Sequence, residues 1–293
     1  KFLSQIKCEN YDFREKNFYI NPSDKINYLF NSSIQGIENS DLILLIGCNP
    51  RHEATMVNAR IRKAFSKNKT PIYSIGDPGD LSYKYNIVGR GTQDLKDIFD
   101  GKSDFSKIFL SAKKPLVIIG ESSLEMQSGQ FIFEEIKEFL FKNNFINEKW
   151  NALNILTQNA STVGCLDLKF FSSKNINNSV FFERIKNNGF QLIYLLGSDN
   201  LEIKKKDEFI IYQGSHGDRG AEIADVVLPS PAYTEQNGLF INMEGRVQEC
   251  RKASYPPGES MEDWKIFNLI SKNLKNEKLF NNYESLKKST MKE

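Results

Sequence analysis

Three separate stretches run as unbroken apolar residues and stop at a glycine. They are Leu42-Ile-Leu-Leu-Ile-Gly47, Leu116-Val-Ile-Ile-Gly120 and Leu192-Ile-Tyr-Leu-Leu-Gly197. A strand with one wet face alternates apolar and polar residues. A continuous run has both faces covered, as parallel strands inside an α/β sheet do. The glycine marks the bend at the strand's carboxyl end. Further candidate strands are Pro71-Ile-Tyr-Ser-Ile75, Asn151-Ala-Leu-Asn-Ile155 and Phe209-Ile-Ile-Tyr212. Helical spacing of apolar residues appears over Thr55 to Phe65, Gln130 to Phe141 and Met261 to Leu274. Strands alternating with helices predict βαβ units in doubly wound, mostly parallel sheets flanked by helices.

Lys113-Lys114-Pro115 precedes a fresh glycine-ended strand, which suggests a joint. The expected division is a first α/β subdomain over residues 1–112 and a second over 113–293. The second carries a carboxy-terminal helix and a tail, rich in Lys, Asn and Glu after Asn276, that is expected to dock loosely.

Composition removes several classes of function. The net charge is +2 with both signs mixed along 293 residues, so nucleic acid is a poor fit as a partner. The one tight basic run, Lys204-Lys205-Lys206, reads as a solvated turn between two strands. No apolar run approaches the roughly 20 residues that a membrane span needs. Cys8, Cys48, Cys165 and Cys250 lie far apart with no Cys-x-x-Cys pair, which suits free thiols better than zinc or an iron–sulphur cluster. His52 and His216 are the only histidines and read as local hydrogen-bonding groups.

Ligands of open parallel sheets bind beyond the carboxyl ends of the strands. That rule points to Gly47-Cys-Asn-Pro-Arg51, Gly120-Glu-Ser-Ser123, Gly197-Ser-Asp-Asn200 and Gly214-Ser-His-Gly-Asp-Arg-Gly220. None carries a Gly-x-Gly-x-x-Gly dinucleotide fingerprint or a phosphate-binding Gly-x-x-x-x-Gly-Lys loop. Asn49-Pro50 has a local explanation: Asn caps a coming helix and Pro suits its first turn. Ser215, His216 and Asp218 are adjacent, which does not build a triad. Glu235 and Glu244 are a conceivable carboxylate pair, but solvated or capping roles suit them better. Arg251 beside Cys250 would favour a thiolate, yet a thiol without a role fits better.

The run from Ile223 to Val247, an apolar strand, a proline-closed turn with Glu235, then a strand ending in Asn242-Met-Glu244-Gly245-Arg246, carries a family resemblance. Asn31-Ser-Ser-Ile-Gln-Gly36, Asp41 to Arg51, Asn58-Ala-Arg-Ile-Arg-Lys63 and Asp80-Leu-Ser-Tyr-Lys-Tyr85 precede it in order. Lys113 to Val117, Leu195-Leu-Gly197 and Phe209 to Asp218 follow those, and Pro256-Pro-Gly258 with Glu262-Asp-Trp-Lys265 closes the set. Together they resemble the late part of the molybdopterin-oxidoreductase fold. The version they match is that of the large iron–sulphur subunit of NADH dehydrogenase, respiratory complex I.

The resemblance implies a molybdopterin-oxidoreductase-like fold, incomplete on its amino-terminal side, that has lost its cofactor. The chain would be the last part of a longer subunit, or one product of a split gene. It implies a structural, non-catalytic segment of the peripheral arm, supporting an electron-transfer module whose iron–sulphur clusters and FMN lie elsewhere in the complex. No catalytic, cofactor-binding or metal residue is then expected in this chain. Expected partners are other complex I subunits, above all the iron–sulphur portion of the same subunit and the flavoprotein module. The expected location is the matrix side of the mitochondrial inner membrane, or the cytoplasmic face of a bacterial plasma membrane. The alternative is a fragment of an active molybdopterin-dependent oxidoreductase that grips a pterin dinucleotide with the loops at Gly47, Gly120, Gly197 and Gly214.

Overall fold

The computed structural model describes residues 1–160, 162–172, 177 and 179–292. The chain forms two compact units, neither continuous in sequence. One comprises Phe18–Gly164 with Ile241–Arg246; the other comprises Lys1–Asn17, Cys165–Phe240 and Val247–Glu293.

In chain order, a short helix α1 (Phe2–Gln5) precedes the first sheet. That sheet's region runs β1 (Leu42–Ile46), α2 (Pro50–Glu53), α3 (Thr55–Asn68), β2 (Ile72–Ile75), β3 (Asn86–Gly89), α4 (Thr92–Phe99) and α5 (Asp104–Ser111). It continues with β4 (Pro115–Gly120), α6 (Glu121–Leu124), α7 (Gly129–Lys142), β5 (Ile146–Asn147), β6 (Trp150–Asn151) and β7 (Leu153–Leu156). Next come α8 (Thr162–Asp167), α9 (Ser179–Lys186), β8 (Leu192–Leu196), β9 (Phe209–Gly214), α10 (Arg219–Ile223) and β10 (Val226–Pro229). The chain ends with β11 (Gly238–Ile241), β12 (Val247–Cys250), α11 (Asp263–Lys275) and α12 (Tyr283–Thr290).

The Phe18–Gly164 unit is built on a five-stranded sheet of order β3-β2-β1-β4-β7, every neighbour parallel. Both faces are covered, as the unbroken apolar runs require. Ile43 and Leu45 of β1 cluster with Val57, Ile61 and Ala64 of α3. Leu44 points the other way; its register partner Tyr73 meets Phe105 of α5, ring centroids 4.6 Å apart. Phe99, Phe109, Phe139 and Phe145 extend that second layer. The joint expected near residue 112 lies inside this unit: Lys113-Lys114-Pro115 leads straight into β4, which pairs with β1 over five residue pairs. A strand so paired cannot belong to a separate core, and the division falls after Gly164 instead.

The expected strand from Asn151 to Ile155 is two elements. Asn151 pairs with Ile146 in a small antiparallel hairpin, and Leu153–Leu156 forms the sheet edge. Asn154 is fully buried in β7, and its hydrogen bonds explain why a polar residue sits there. Its amide oxygen accepts from the Ser32 amide and hydroxyl at 2.9 Å each, and its NH2 reaches the carbonyls of Ala152 and Val117. The hairpin tip Ile241–Arg246 also belongs to this unit: the Phe30 amide donates to the Met243 carbonyl at 2.8 Å.

The other unit has a three-stranded parallel sheet of order β10-β9-β8 and a two-stranded ladder of β11 and β12. Ile193, Leu195, Ile210 and Tyr212 form its buried cluster, with Phe190, Ala221 and Ile223 against it. On the sheet's opposite side Tyr194 stacks on Phe267 of α11 at 5.6 Å. Lys204-Lys205-Lys206 is an exposed turn between β8 and β9, as its charge suggests. The carboxy-terminal tail is held more firmly than expected. Asn268 accepts from the Leu279 and Phe280 amides and donates to the Phe280 carbonyl, and Lys287 pairs with Glu249 at 2.8 Å. Asn residues that bond a neighbouring backbone anchor a segment without apolar burial, and α12 itself buries no residue.

Candidate functional site

The order β3-β2-β1-β4-β7 reverses direction between β1 and β4, and a crevice at such a switch point is where an open α/β sheet accepts a ligand. The two loops there begin at Gly47 and Gly120. Gly47 has φ of +54°, a left-handed conformation that favours glycine. A Cβ on Gly120 would lie 2.2 Å from the Gly47 carbonyl oxygen and 2.5 Å from the Cys48 Cβ; one on Gly47 would lie 2.6 Å from the Ser123 Cβ. The Ser122 hydroxyl donates to the Gly47 carbonyl. The two loops are thus packed on each other, glycine against backbone.

Several amides at the strand ends are already engaged. Asn49 caps α2, its side-chain oxygen accepting from the Arg51 and His52 amides at 3.1 and 3.3 Å. Its NH2 reaches the Pro78 carbonyl at 2.6 Å. The Asn49 amide itself donates to the Glu53 carboxylate at 2.5 Å. At the end of β3, Asp94 accepts from the Arg90 and Gly91 amides at 2.7 and 3.2 Å. Beyond β7, the Gln158 amide donates to the fully buried Glu121 at 2.8 Å. Asp80 accepts from the Ser82 amide and pairs with Arg51, which together hold its carboxyl below the ordinary value.

The same pattern recurs in the second unit. After β8, the Glu15 carboxylate lies against Ser198, Asp199 and Asn200. After β9, Asp199 accepts from the Gly220 amide at 3.2 Å, at the start of α10, and from the Tyr212 hydroxyl at 3.1 Å. Burial and the Asp199 bond push the Tyr212 hydroxyl up to about 12. At these strand ends the groups that present N–H donors to a phosphate in a binding protein meet carboxylates of the chain itself.

Other candidates hold local partners. The Ser215 hydroxyl meets Nδ1 of His216 at 2.8 Å on an exposed loop, and Asp218 stands at the N-cap position of α10 without a side-chain capping bond. Glu235 accepts from the Ala232 amide at 2.9 Å and closes its own turn. Glu244 accepts from the Ile34 amide at 2.5 Å and ties its turn to a distant loop. Burial drives the Cys48 thiol far above its ordinary value and the Cys165 thiol to about 11. All four cysteines are free thiols. Among the described residues no cluster of His, Cys, Asp or Glu is arranged to hold a metal ion. A polar cleft of about 470 Å³, lined by Asn31, Asn39, Lys114, Asn147 and Trp150 among others, opens at the amino-terminal ends of the strands. Asn31 and Trp150 spend their donors on the Leu153 and Pro115 carbonyls at 2.7 Å each.

One polar network has no local signature in the sequence. Gln213 of β9, fully buried, donates to Asp263 at 2.7 Å, and Gln236 donates to the other Asp263 oxygen at 3.2 Å. The neighbouring Glu262, almost buried, accepts from the Trp264 indole at 2.7 Å and faces Lys252 and Lys265 at 3.8 and 3.5 Å. Three stretches far apart in sequence, around 213, 236 and 263, therefore share one partly buried polar seam.

Residues 1–273 match the molybdopterin oxidoreductase family. The chain is 39% identical over 278 residues to the NADH-ubiquinone oxidoreductase 75 kDa subunit of Reclinomonas americana, a match covering 94% of this chain and 40% of that protein. It is 41% identical over 252 residues to the mitochondrial NADH-ubiquinone oxidoreductase 78 kDa subunit of Neurospora crassa, covering 85% and 32%. To an NADH-quinone oxidoreductase subunit of Rickettsia typhi it is 38% identical over 274 residues, covering 93% and 39%. The chain thus spans between about a third and two fifths of the length of these curated relatives.

Proposed function

The chain belongs to the molybdopterin oxidoreductase family, and we propose that within it the chain is a structural, non-catalytic segment of respiratory complex I. The names of its relatives support the assembly: each is a subunit of an NADH–quinone or NADH–ubiquinone oxidoreductase. In this reading the segment supports the electron-transfer module of the peripheral arm. Iron–sulphur clusters and FMN are carried by other parts of the complex. Its partners are other complex I subunits, foremost the iron–sulphur portion of the same subunit and the flavoprotein module. The location is the matrix side of the mitochondrial inner membrane, or the cytoplasmic face of a plasma membrane if the source is bacterial. No described helix is long and apolar enough to cross a membrane.

One observation supports the non-catalytic half of the reading: at the sheet's switch point the two loops pack on each other and the Asn49 amide is taken up by Glu53. A pterin dinucleotide needs strand-end amides for its phosphates and room for its rings. Here Gly47 and Gly120 leave no room for even a methyl group between them. At that switch point the Asn49 amide already faces Glu53; in the other unit, taken by itself, the Asp199, Asn200 and Gly220 amides face Glu15 and Asp199. A polyphosphate would displace a bound carboxylate and then stand beside it, and like charges a few ångströms apart disfavour each other. These contacts support the reading that this segment works without a bound cofactor.

Native electrophoresis of a membrane extract tests the reading, with an NADH-dehydrogenase activity stain and metal analysis of the same band. The chain is expected in the active band, without molybdenum or tungsten. Stoichiometric metal and pterin on the chain would establish the alternative, an active molybdopterin oxidoreductase. A chain running alone, away from the active band, would overturn the assignment to the complex.

A further inference from the structure

Four donors converge on one carboxylate in the unit that contains Lys1–Asn17. Glu15 Oε1 accepts from the Ser198 hydroxyl at 2.9 Å, the Asp199 amide at 3.2 Å and the Asn200 amide at 3.3 Å. Its Oε2 accepts from the Asn200 side-chain NH2 at 2.7 Å. These donors lie on the loop after β8, the carboxyl end of a parallel strand, where ligands of such sheets bind. The acceptor comes from 183 residues away in sequence.

Glu15 is delivered there by a fixed segment. Arg14, nearly fully buried, forms a two-pronged pair with Asp12 at 3.0 and 2.8 Å and lies over the Phe182 ring at 5.5 Å. Tyr11 stacks on Phe170 at 5.4 Å, and its carbonyl accepts the Ser172 amide at 3.2 Å.

We propose that the loop Ser198-Asp199-Asn200 is a monocarboxylate-binding site whose resident ligand is Glu15. The inference rests on reading the strand ends as filled from within, and adds that this one is a receptor in its own right. All four groups that meet the Glu15 carboxylate here are donors, and the two oxygens are served separately, as a carboxylate requires. Burial alone would raise its carboxyl; the Asn200 and Ser198 side chains and the two amides outweigh that and hold it below the ordinary value. The Asp199 carboxylate stands next to the site, engaged by Tyr212 and Gly220. It favours a singly charged ligand over a phosphate dianion. Because Glu15 is held in place by its own fixed segment, its effective concentration exceeds that of anions added in solution, which do not displace it.

Chemical rescue of the full 293-residue chain is the test. Glu15→Ala empties the site, and added sodium acetate is expected to refill it. The thermal midpoint of the variant should then rise by roughly 3 °C as acetate goes from none to about 0.2 M. Sodium chloride at matched ionic strength should not reproduce the rise, inorganic phosphate should give less, and the parent chain should give none. Equal shifts in variant and parent, or in acetate and chloride, overturn the proposal; phosphate matching acetate overturns the carboxylate class. A variant that does not fold leaves a reading on the parent: the Asp199 and Asn200 amides should exchange hydrogen slowly at neutral pH. Exchange there at the rate of an unstructured loop overturns it equally. Failure of rescue would leave the migration and metal content of the native complex untouched, so the two readings fail separately.

Discussion

Gln213 Nε2 donates to Asp263 Oδ1 at 2.7 Å, joining a buried position of β9 to the first residue of α11. Gln213 is fully buried, so water cannot replace its partner. A buried donor left without an acceptor costs about 1–3 kcal/mol. Asp263→Ala strands the Gln213 donor, while Gln236 keeps its bond to the Pro231 carbonyl, and is expected to destabilise this unit by about that amount. The chain has two tryptophans, Trp150 and Trp264, one in each unit. Urea unfolding followed by fluorescence of a Trp150→Phe background should show the Trp264 transition at lower urea in the Asp263 variant. An unchanged transition would mean that the seam is not buried in solution.

Gly120→Ala acts on the other unit. Its Cβ has only the Gly47 carbonyl and the Cys48 side chain to push, at 2.2 and 2.5 Å, and the first is backbone. Overpacking of that kind costs typically about 1–3 kcal/mol, and more where the backbone must move. In a Trp264→Phe background the Trp150 transition should fall accordingly. A variant as stable as the parent would show that the loops stand apart, which would also reopen the crevice to a ligand.

The sheets are legible in the sequence because unbroken apolar runs leave one physical solution. Leu42 and Leu116 lie in parallel strands that are buried throughout, as their runs predict, whereas the same kind of run in β8 leaves Leu192 56% and Leu196 48% exposed and buries only Ile193 and Leu195. Capping is equally readable: Asn49 and Pro50 start α2 with the hydrogen bonds that their side chains favour. β3 escapes because Asn86 to Gly89 is a half-exposed edge whose residues carry no strong pattern. The division into units escapes because it depends on non-local partners. Nothing near Met243 indicates that its carbonyl meets Phe30, and nothing near Glu15 indicates Ser198. Missing motifs in the sequence argue against a site only negatively, whereas the carboxylates that fill the strand ends are a positive feature. Of these, Glu53, four residues after Asn49, is within reach of capping logic.

Thiol chemistry separates the cysteines. A thiol must ionise to react, and burial holds Cys48 far above its ordinary value and Cys165 at about 11. In the native chain at neutral pH, iodoacetamide should label Cys8 and Cys250 well before Cys165, and Cys48 only after unfolding. Peptide mass mapping after timed quenching reads the order. Early labelling of Cys48 would mean that the region between β1 and β4 opens in solution.

Acid should loosen the amino-terminal segment before the sheets. Glu15 is held below its ordinary value, so its folded form binds a proton less readily than its unfolded form. The stabilisation is therefore complete above the unfolded value, about 4.3, and is lost as pH falls through the lower folded value. Hydrogen exchange of the Asp199 and Asn200 amides, corrected for intrinsic rates, should lose protection as pH falls below the ordinary carboxylate range while the β1 and β4 amides retain theirs. In Glu15→Gln the protection at 199 and 200 should be weaker at neutral pH and flat across the same range. A parent chain whose protection at these amides does not change between neutral pH and acid would show that the Glu15 carboxylate does not hold the loop.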